Sequence, residues 1–250
     1  MVNLKTDQEI GIMKEGGKRL QVIVKELLPL IRAGISTKEI DEKAEELINK
    51  QGGKSSFKTV PGYLFSTCVP INEQIVHTKP SSRTLKEGDV LTLDIGMLYK
   101  GWHTDYATTK VVSGQNKDVI INRFLKIGEE TLYQAIKEAK IGNRIGEISE
   151  VIEKNITNNG YFIIKELTGH GIGKKLHEDP FVFGFVDKPI EKTLLINKGL
   201  VIAIEIIYGM GTGEMIYEKD NWSIITKDQS VSACFEHTIA VTDQGPVILT

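Results

Sequence analysis

Between Val90 and Ile95 apolar and polar positions alternate, with Leu91, Leu93 and Ile95 on one side and Thr92 and Asp94 on the other. A two-residue period predicts a strand with one face in a core. Asp94 stands out in it, because a carboxylate among such neighbours is costly to bury without a partner. Elsewhere the period is helical. Ile10, Met13, Leu20, Val24, Leu27 and Ile31 follow the capping-box pattern Thr6-Asp7-Gln8-Glu9 and predict a helix from Thr6 to about Leu28, disturbed or ended by Pro29 and Gly34. A second box, Ser36 to Glu39, opens a helix with Ile40, Ala44, Leu47 and Ile48 on its apolar face and Gly52-Gly53 at its end. The stretch Phe57 to Ile75 is irregular and strand-like. A turn at Lys100-Gly101 leads into a second strand, Asp105 to Val112. Helices are expected from Asp118 to about Ala139 and from Glu147 to about Asn158, then short strands and glycine-rich turns.

The pattern repeats. GISTKEIDEKAEELINKQG, starting at Gly34, aligns without gaps on GNRIGEISEVIEKNITNNG, starting at Gly142, at an offset of 108. LKEGDVLTLDI, starting at Leu85, aligns on INKGLVIAIEI, starting at Ile196, at an offset of 111. Two blocks in the same order at nearly the same offset predict a duplicated architecture. The expectation is an α+β fold of one catalytic domain, 1–250, in two pseudo-twofold halves, roughly 1–112 and 113–250. Asp94 falls on Glu205, so two acids are expected at equivalent strand positions.

Composition adds mostly exclusions. The chain has 250 residues, 40% hydrophobic and 26% charged, with a net charge of −2. That suits an ordinary globular chain and gives no electrostatic reason to expect nucleic acid or a membrane surface as partner. No apolar run approaches a membrane span, and no signal sequence is visible. Cys68 and Cys234 form no CxxC motif, so a reduced, cytoplasmic protein is expected.

The candidate chemistry is carboxylate-rich. Asp105 opens the run DYATTKVV and Glu236 opens EHTIAVTD, each soon after one of the paired strands. They are read as a second repeat-related pair, with hairpin geometry bringing all four acids together. Each pair of ionised carboxylates about 4 Å apart costs roughly 4 kcal/mol at an effective dielectric near 20. Either some stay protonated or cations sit among them, and oxygen ligands suit Mg, Mn, Fe(II) or Co. The alternative for each acid is a solvated strand end. His170 and His177 lie in TGHGIGKKLHEDP; glycines flank His170, and it adds a nitrogen ligand. A phosphate loop is the rival reading of that segment, but the spacing is one residue short and Lys175 replaces the Ser or Thr.

Taken in order, LTLDIG, HTDYATT, TGHGIGKKLHEDP, IAIEI and SACFEHTIAVT closely resemble the type I methionine aminopeptidases, over essentially the whole chain. The resemblance implies the pita-bread fold shared with aminopeptidase P, prolidase and creatinase, with its halves around a central antiparallel sheet. It implies that Asp94, Asp105, His170, Glu205 and Glu236 hold two divalent ions (Co, Mn, Fe(II), Zn or Ni). Asp105 and Glu236 would bridge them, Asp94 would complete one, and His170 with Glu205 the other. It implies that His77 and His177 contact the scissile peptide, that Glu205 moves the proton, and that Tyr63, Cys68 and Trp222 line the methionine pocket. Metal-activated water would release the initiator methionine of a peptide or nascent chain when the second residue is small. A monomer is expected, with the ribosome as a candidate further partner.

Three positions depart from the family pattern. Ile206 stands where proline is usual, Leu176 where phenylalanine is common, and Phe57 where a small residue is usual. They bear on pocket shape and second-residue preference. Two other functions fit the fold: a proline-directed peptidase, disfavoured because the chain starts close to its first helix, and a non-catalytic scaffold, disfavoured because no ligand is lost.

Overall fold

The computed structural model describes residues 2–112 and 118–250. The expected boundary between the halves, after Val112, falls against the segment 113–117, outside the described residues. Both capping boxes form. Glu9 N–H donates to Thr6 Oγ1 and Thr6 N–H to the Glu9 carboxylate, starting α1 (Asp7–Leu27). Ser36 and Glu39 do the same for α2 (Thr37–Lys50). Asp118 caps α3 (Val119–Glu138). The fourth helix, α4 (Ile145–Asn158), starts two residues earlier than expected, because the Glu147 carboxylate accepts from Arg144 N–H and is the third residue of the helix.

The strands are β1 (Lys54–Ser55), β2 (Thr67–Cys68), β3 (Gln74–Val76), β4 (Val90–Tyr99), β5 (Trp102–Val111), β6 (Phe162–Ile163) and β7 (Thr168–Gly171). They continue with β8 (Glu178–Phe183), β9 (Val201–Gly209), β10 (Met215–Tyr217), β11 (Ile224–Thr226), β12 (Ser232–Thr242) and β13 (Gly245–Ile248). The first hairpin is longer than the alternation suggested. Lys100 and Gly101 both take positive φ, +49 and +79, and such a two-residue turn matches strand twist, so pairing runs up to Tyr99 and Trp102. The main sheet runs β1-β4-β5-β12-β9-β7-β8, all antiparallel, with β2, β6 and β13 pairing alongside. A smaller sheet orders β10-β11-β3.

The apolar stripes of all four helices cover one face of the main sheet. Leu91, Leu93 and Ile95 pack with α1 and α2; Ile202, Ile204 and Ile206 pack with α3 and α4. The alternate residues of β4, β5, β9 and β12 face the other way, and that face carries the acids.

The pseudo-twofold is visible in the backbone. Gly34 and Gly142 both take φ +92, Gly52 and Gly160 +75 and +81, Gly88 and Gly199 +86 and +88. The isolated bridge Ser36–Thr84 has its counterpart in Arg144–Leu195. One expectation is corrected. Asp94 pairs with Ala107 and Glu205 with Glu236, so the counterpart of Glu236 is Ala107, and that of Asp105 is Cys234. Asp105 and Glu236 are therefore displaced by two residues from equivalence. Two is the strand period, so both still project from the same face.

Candidate active site and metal centre

Two adjacent rows on the helix-free face build the site. Cys68, Asp94, Ala107, Glu236 and Glu205 lie opposite one another across β2, β4, β5, β12 and β9. The next row holds Gly96, Asp105, Thr238, Ala203 and His170. Ala107 and Ala203 keep side chains small beside the acids, and Gly96 lets Ser56 and Phe57 close in next to the Asp105 carboxylate. Ligand atoms of Asp105, His170 and Glu236 all lie within 4.8 Å of one another, and His170 Nε2 is 3.4 Å from Glu205 Oε1. All ten residues expected from the sequence (Tyr63, Cys68, His77, Asp94, Asp105, His170, His177, Glu205, Trp222 and Glu236) line one cavity of about 320 Å³.

The electrostatics leave a positive charge missing. Burial pushes the Asp105 carboxyl up to about 7. Burial, with the charge of Asp105 added, drives Asp94, Glu205 and Glu236 well above the usual carboxylate range. Among the described residues no lysine or arginine forms an ion pair with any of the four, and the buried Glu236 Oε1 has no hydrogen-bond partner. His170 Nδ1 lies 2.9 Å from Gly171 O, which accepts only, so Nδ1 carries the proton and Nε2 offers its lone pair to the acids. Burial lowers this imidazole to about 4, so it stays a neutral donor. Four carboxylates and one imidazole fit divalent cations of hard to borderline character.

His77 and His177 flank the centre. The His177 ring centroid is 4.5 Å from that of His170, edge to face, and burial lowers its pKa. His77 sits at φ +57, a strained conformation for a non-glycine residue, with its ring crowded by protein yet open to the cavity. Burial, then the His177 charge, lowers it to about 4. On the far side Tyr63 Oη donates to Thr67 O at 2.8 Å and lies 3.1 Å from Cys68 Sγ; its ring centroid is 5.1 Å from that of Trp222.

Of the three departures from the family pattern, Phe57 and Leu176 line the cavity. Ile206 does not. It is fully buried on the helix side of β9, because it is one residue from Glu205, and one residue reverses the face. Thr238 was missed as a site residue: it accepts from Asp105 N–H at 2.8 Å and donates to Asp105 O at 2.9 Å. Its place two residues after Glu236 was the available signal. Phe181, which also lines the cavity, left no such signal.

Comparison with known proteins agrees with this geometry. Residues 11–243 match the model of metallopeptidase family M24. Methionine aminopeptidase 1 of Bacillus subtilis is 41% identical over 250 residues, covering 100% of this chain and 99% of the relative. The methionine aminopeptidase of Escherichia coli is 33% identical, covering 100% and 94%. The crystal structure of the Thermotoga maritima methionine aminopeptidase superposes with a TM-score of 0.95 at 33% identity, covering 100% and 99%. The prolidase of Pyrococcus furiosus shares the fold, with a TM-score of 0.79 at 23% identity, covering 99% of this chain and 65% of its own. An acid-lined centre on a pseudo-twofold sheet, and matches spanning nearly every residue, place the chain in metallopeptidase family M24, among its methionine aminopeptidases.

Proposed function

We infer that this chain is a metal-dependent aminopeptidase that removes methionine from the N-terminus of peptides and nascent proteins. The observation that carries the reading is the five-donor set, Asp94, Asp105, His170, Glu205 and Glu236, in one cavity with an apolar pocket. In this reading Asp94, Asp105, His170, Glu205 and Glu236 would hold the divalent ions. When bound, the ions supply Lewis acidity for a hydrolytic attack at neutral pH.

The remaining work falls to the chain's own side chains. Glu205, held beside His170, takes up a proton on the attacking side and returns it to the leaving amine. His177 donates a hydrogen bond to the carbonyl oxygen as that oxygen gains negative charge. His77 donates near the scissile nitrogen. Tyr63, Cys68 and Trp222, with Phe57 and Leu176, enclose an unbranched thioether side chain. Phe57 also restricts the second residue, because its ring lies against Gly96 next to the Asp105 carboxylate. We place the reaction in the cytoplasm, where the two free thiols, Cys68 and Cys234, stay reduced.

The test is methionine release from Met-Ala-Ser by protein stripped of metal and then titrated with Mn or Co. Turnover that appears with metal and disappears in His170→Ala supports the reading. Absence of turnover in metal-loaded protein, or faster cleavage of Xaa-Pro peptides, overturns it.

A further inference from the structure

The cavity does not end at the catalytic residues. The Tyr63–Cys68–Trp222 pocket lies at the β2–β4 end of the acid row, and His170 at the β9–β7 end. A substrate with its first side chain in that pocket and its scissile bond over the row has room, once past Phe57, to continue toward β7 and β8, where Thr168, His170 and Phe181 also line the cavity. There His170 pairs with Phe181 and Thr168 with Phe183, so both rings share the face of His170, while Val182 between them is fully buried the other way. Phe181 is 63% exposed although it lines the cavity. The Phe181 and Phe183 centroids are 6.1 Å apart; Phe185, 5.5 Å beyond Phe183 and past the end of β8, is half-buried against the helix-side core. Lys165 Nζ lies 4.9 Å from the Phe185 centroid. Glu166 lines the catalytic cavity and also a neighbouring one of about 340 Å³.

An exposed ring, Phe181, followed on the same face by the half-buried Phe183 and continuous with an enclosed site, fits a binding surface better than incidental exposure. At about 3.3 Å per residue, Phe181 to Phe183 spans about 7 Å, the length of two residues of extended chain. We propose that Phe181 and Phe183 form a distal subsite that binds apolar side chains of the substrate from about its fourth to its sixth residue. The occupant is thus an unfolded, apolar-containing polypeptide rather than a short polar peptide. Aromatic faces favour such side chains without fixing a sequence, which suits a surface that must accept many chains. The proposal rests on the aminopeptidase reading and adds a length and composition preference to it.

The test compares Met-Ala-Ser with the octapeptide Met-Ala-Ser-Leu-Ser-Leu-Ser-Lys. In unmodified, metal-loaded protein, replacing both leucines by glutamate is expected to raise KM about fivefold with kcat unchanged. In Phe183→Gln, KM for the leucine octapeptide is expected to rise about fivefold while Met-Ala-Ser changes by less than about twofold. Equal loss on both lengths, or indifference of the unmodified protein to the leucines, overturns the subsite. The unmodified-protein arm decides the matter even if Phe183→Gln fails to fold. Failure to release methionine from Met-Ala-Ser itself overturns the aminopeptidase reading, and the subsite with it.

Discussion

Thr109 and Thr238 make the same contact twice, once on each side of the pseudo-twofold axis. Thr238 Oγ1 accepts from Asp105 N–H and donates to Asp105 O; Thr109 Oγ1 accepts from Cys234 N–H, at 3.0 Å, and donates to Cys234 O, at 2.8 Å. The two hydroxyls extend the pairing of β5 and β12, whose backbone register covers only Ala107–Glu236 and Tyr106–His237. One of the two equivalent positions carries a candidate metal ligand and the other a thiol. Thr109→Val and Thr238→Val are therefore each expected to lose about 1–3 kcal/mol by leaving buried polar groups unpaired. Only Thr238→Val should also weaken Mn binding, since only it frees Asp105. Thermal unfolding of the apo forms and metal titration by calorimetry read the two effects separately.

Metal-free protein should become less stable as pH rises. Asp105 titrates near 7 when folded, against an ordinary carboxylate value of 3.8, and Asp94, Glu205 and Glu236 shift the same way. The folded state thus binds more protons than the unfolded state between those values, so unfolding free energy falls with rising pH across that window. A divalent ion replaces the protons and reverses the trend. Urea unfolding at pH 5, 6 and 7.5, with chelator and with Mn, gives both slopes.

Lys5 and Glu178 form a part-buried ion pair at 2.8 Å, with side-chain exposures of 1% and 11%. Burial alone would raise the Glu178 carboxyl, but Lys5 and the Lys175 N–H bring it below its usual value. The pair ties the N-terminal segment to the loop that carries His177. Lys5→Met should cost about 2 kcal/mol, because it removes a charged hydrogen-bond partner from a part-buried carboxylate, and Lys5→Met with Glu178→Gln should recover part of that loss. Denaturation of the single and double variants measures the coupling.

Phe57 packs edge to face on Tyr63, centroids 6.4 Å apart, and is 6% exposed. Phe57→Ser should enlarge the space for the second substrate residue. The expected result is a rise of about tenfold in kcat/KM for Met-Val-Ser relative to Met-Ala-Ser. An unchanged ratio would place the second residue elsewhere.

By itself the sequence determined the local elements and the chemistry they carry. Capping boxes, apolar periods and glycines are short-range signals, and they were sufficient for the four helices and for the strands that hold Asp94 and Glu205. The motif order, with the family it resembles, led to ten of the residues that line the cavity, but not to Phe181 or Glu166. Tertiary structure decided what depends on register and on contact between distant segments. Only pairing of β12 with β5 and β9 sets Glu236 opposite Ala107 and Glu205, and removes Asp105 from symmetry with Glu236. Only the facing of β9 sends Ile206 into the helix-side core. Only chain crossing brings Lys5 to Glu178 and Thr238 to Asp105, and sets Phe181 in the wall of the cavity. Strand alternation fixes which residues share a face, but a neighbour across the sheet is chosen by pairing, and that choice is made by packing of the whole core.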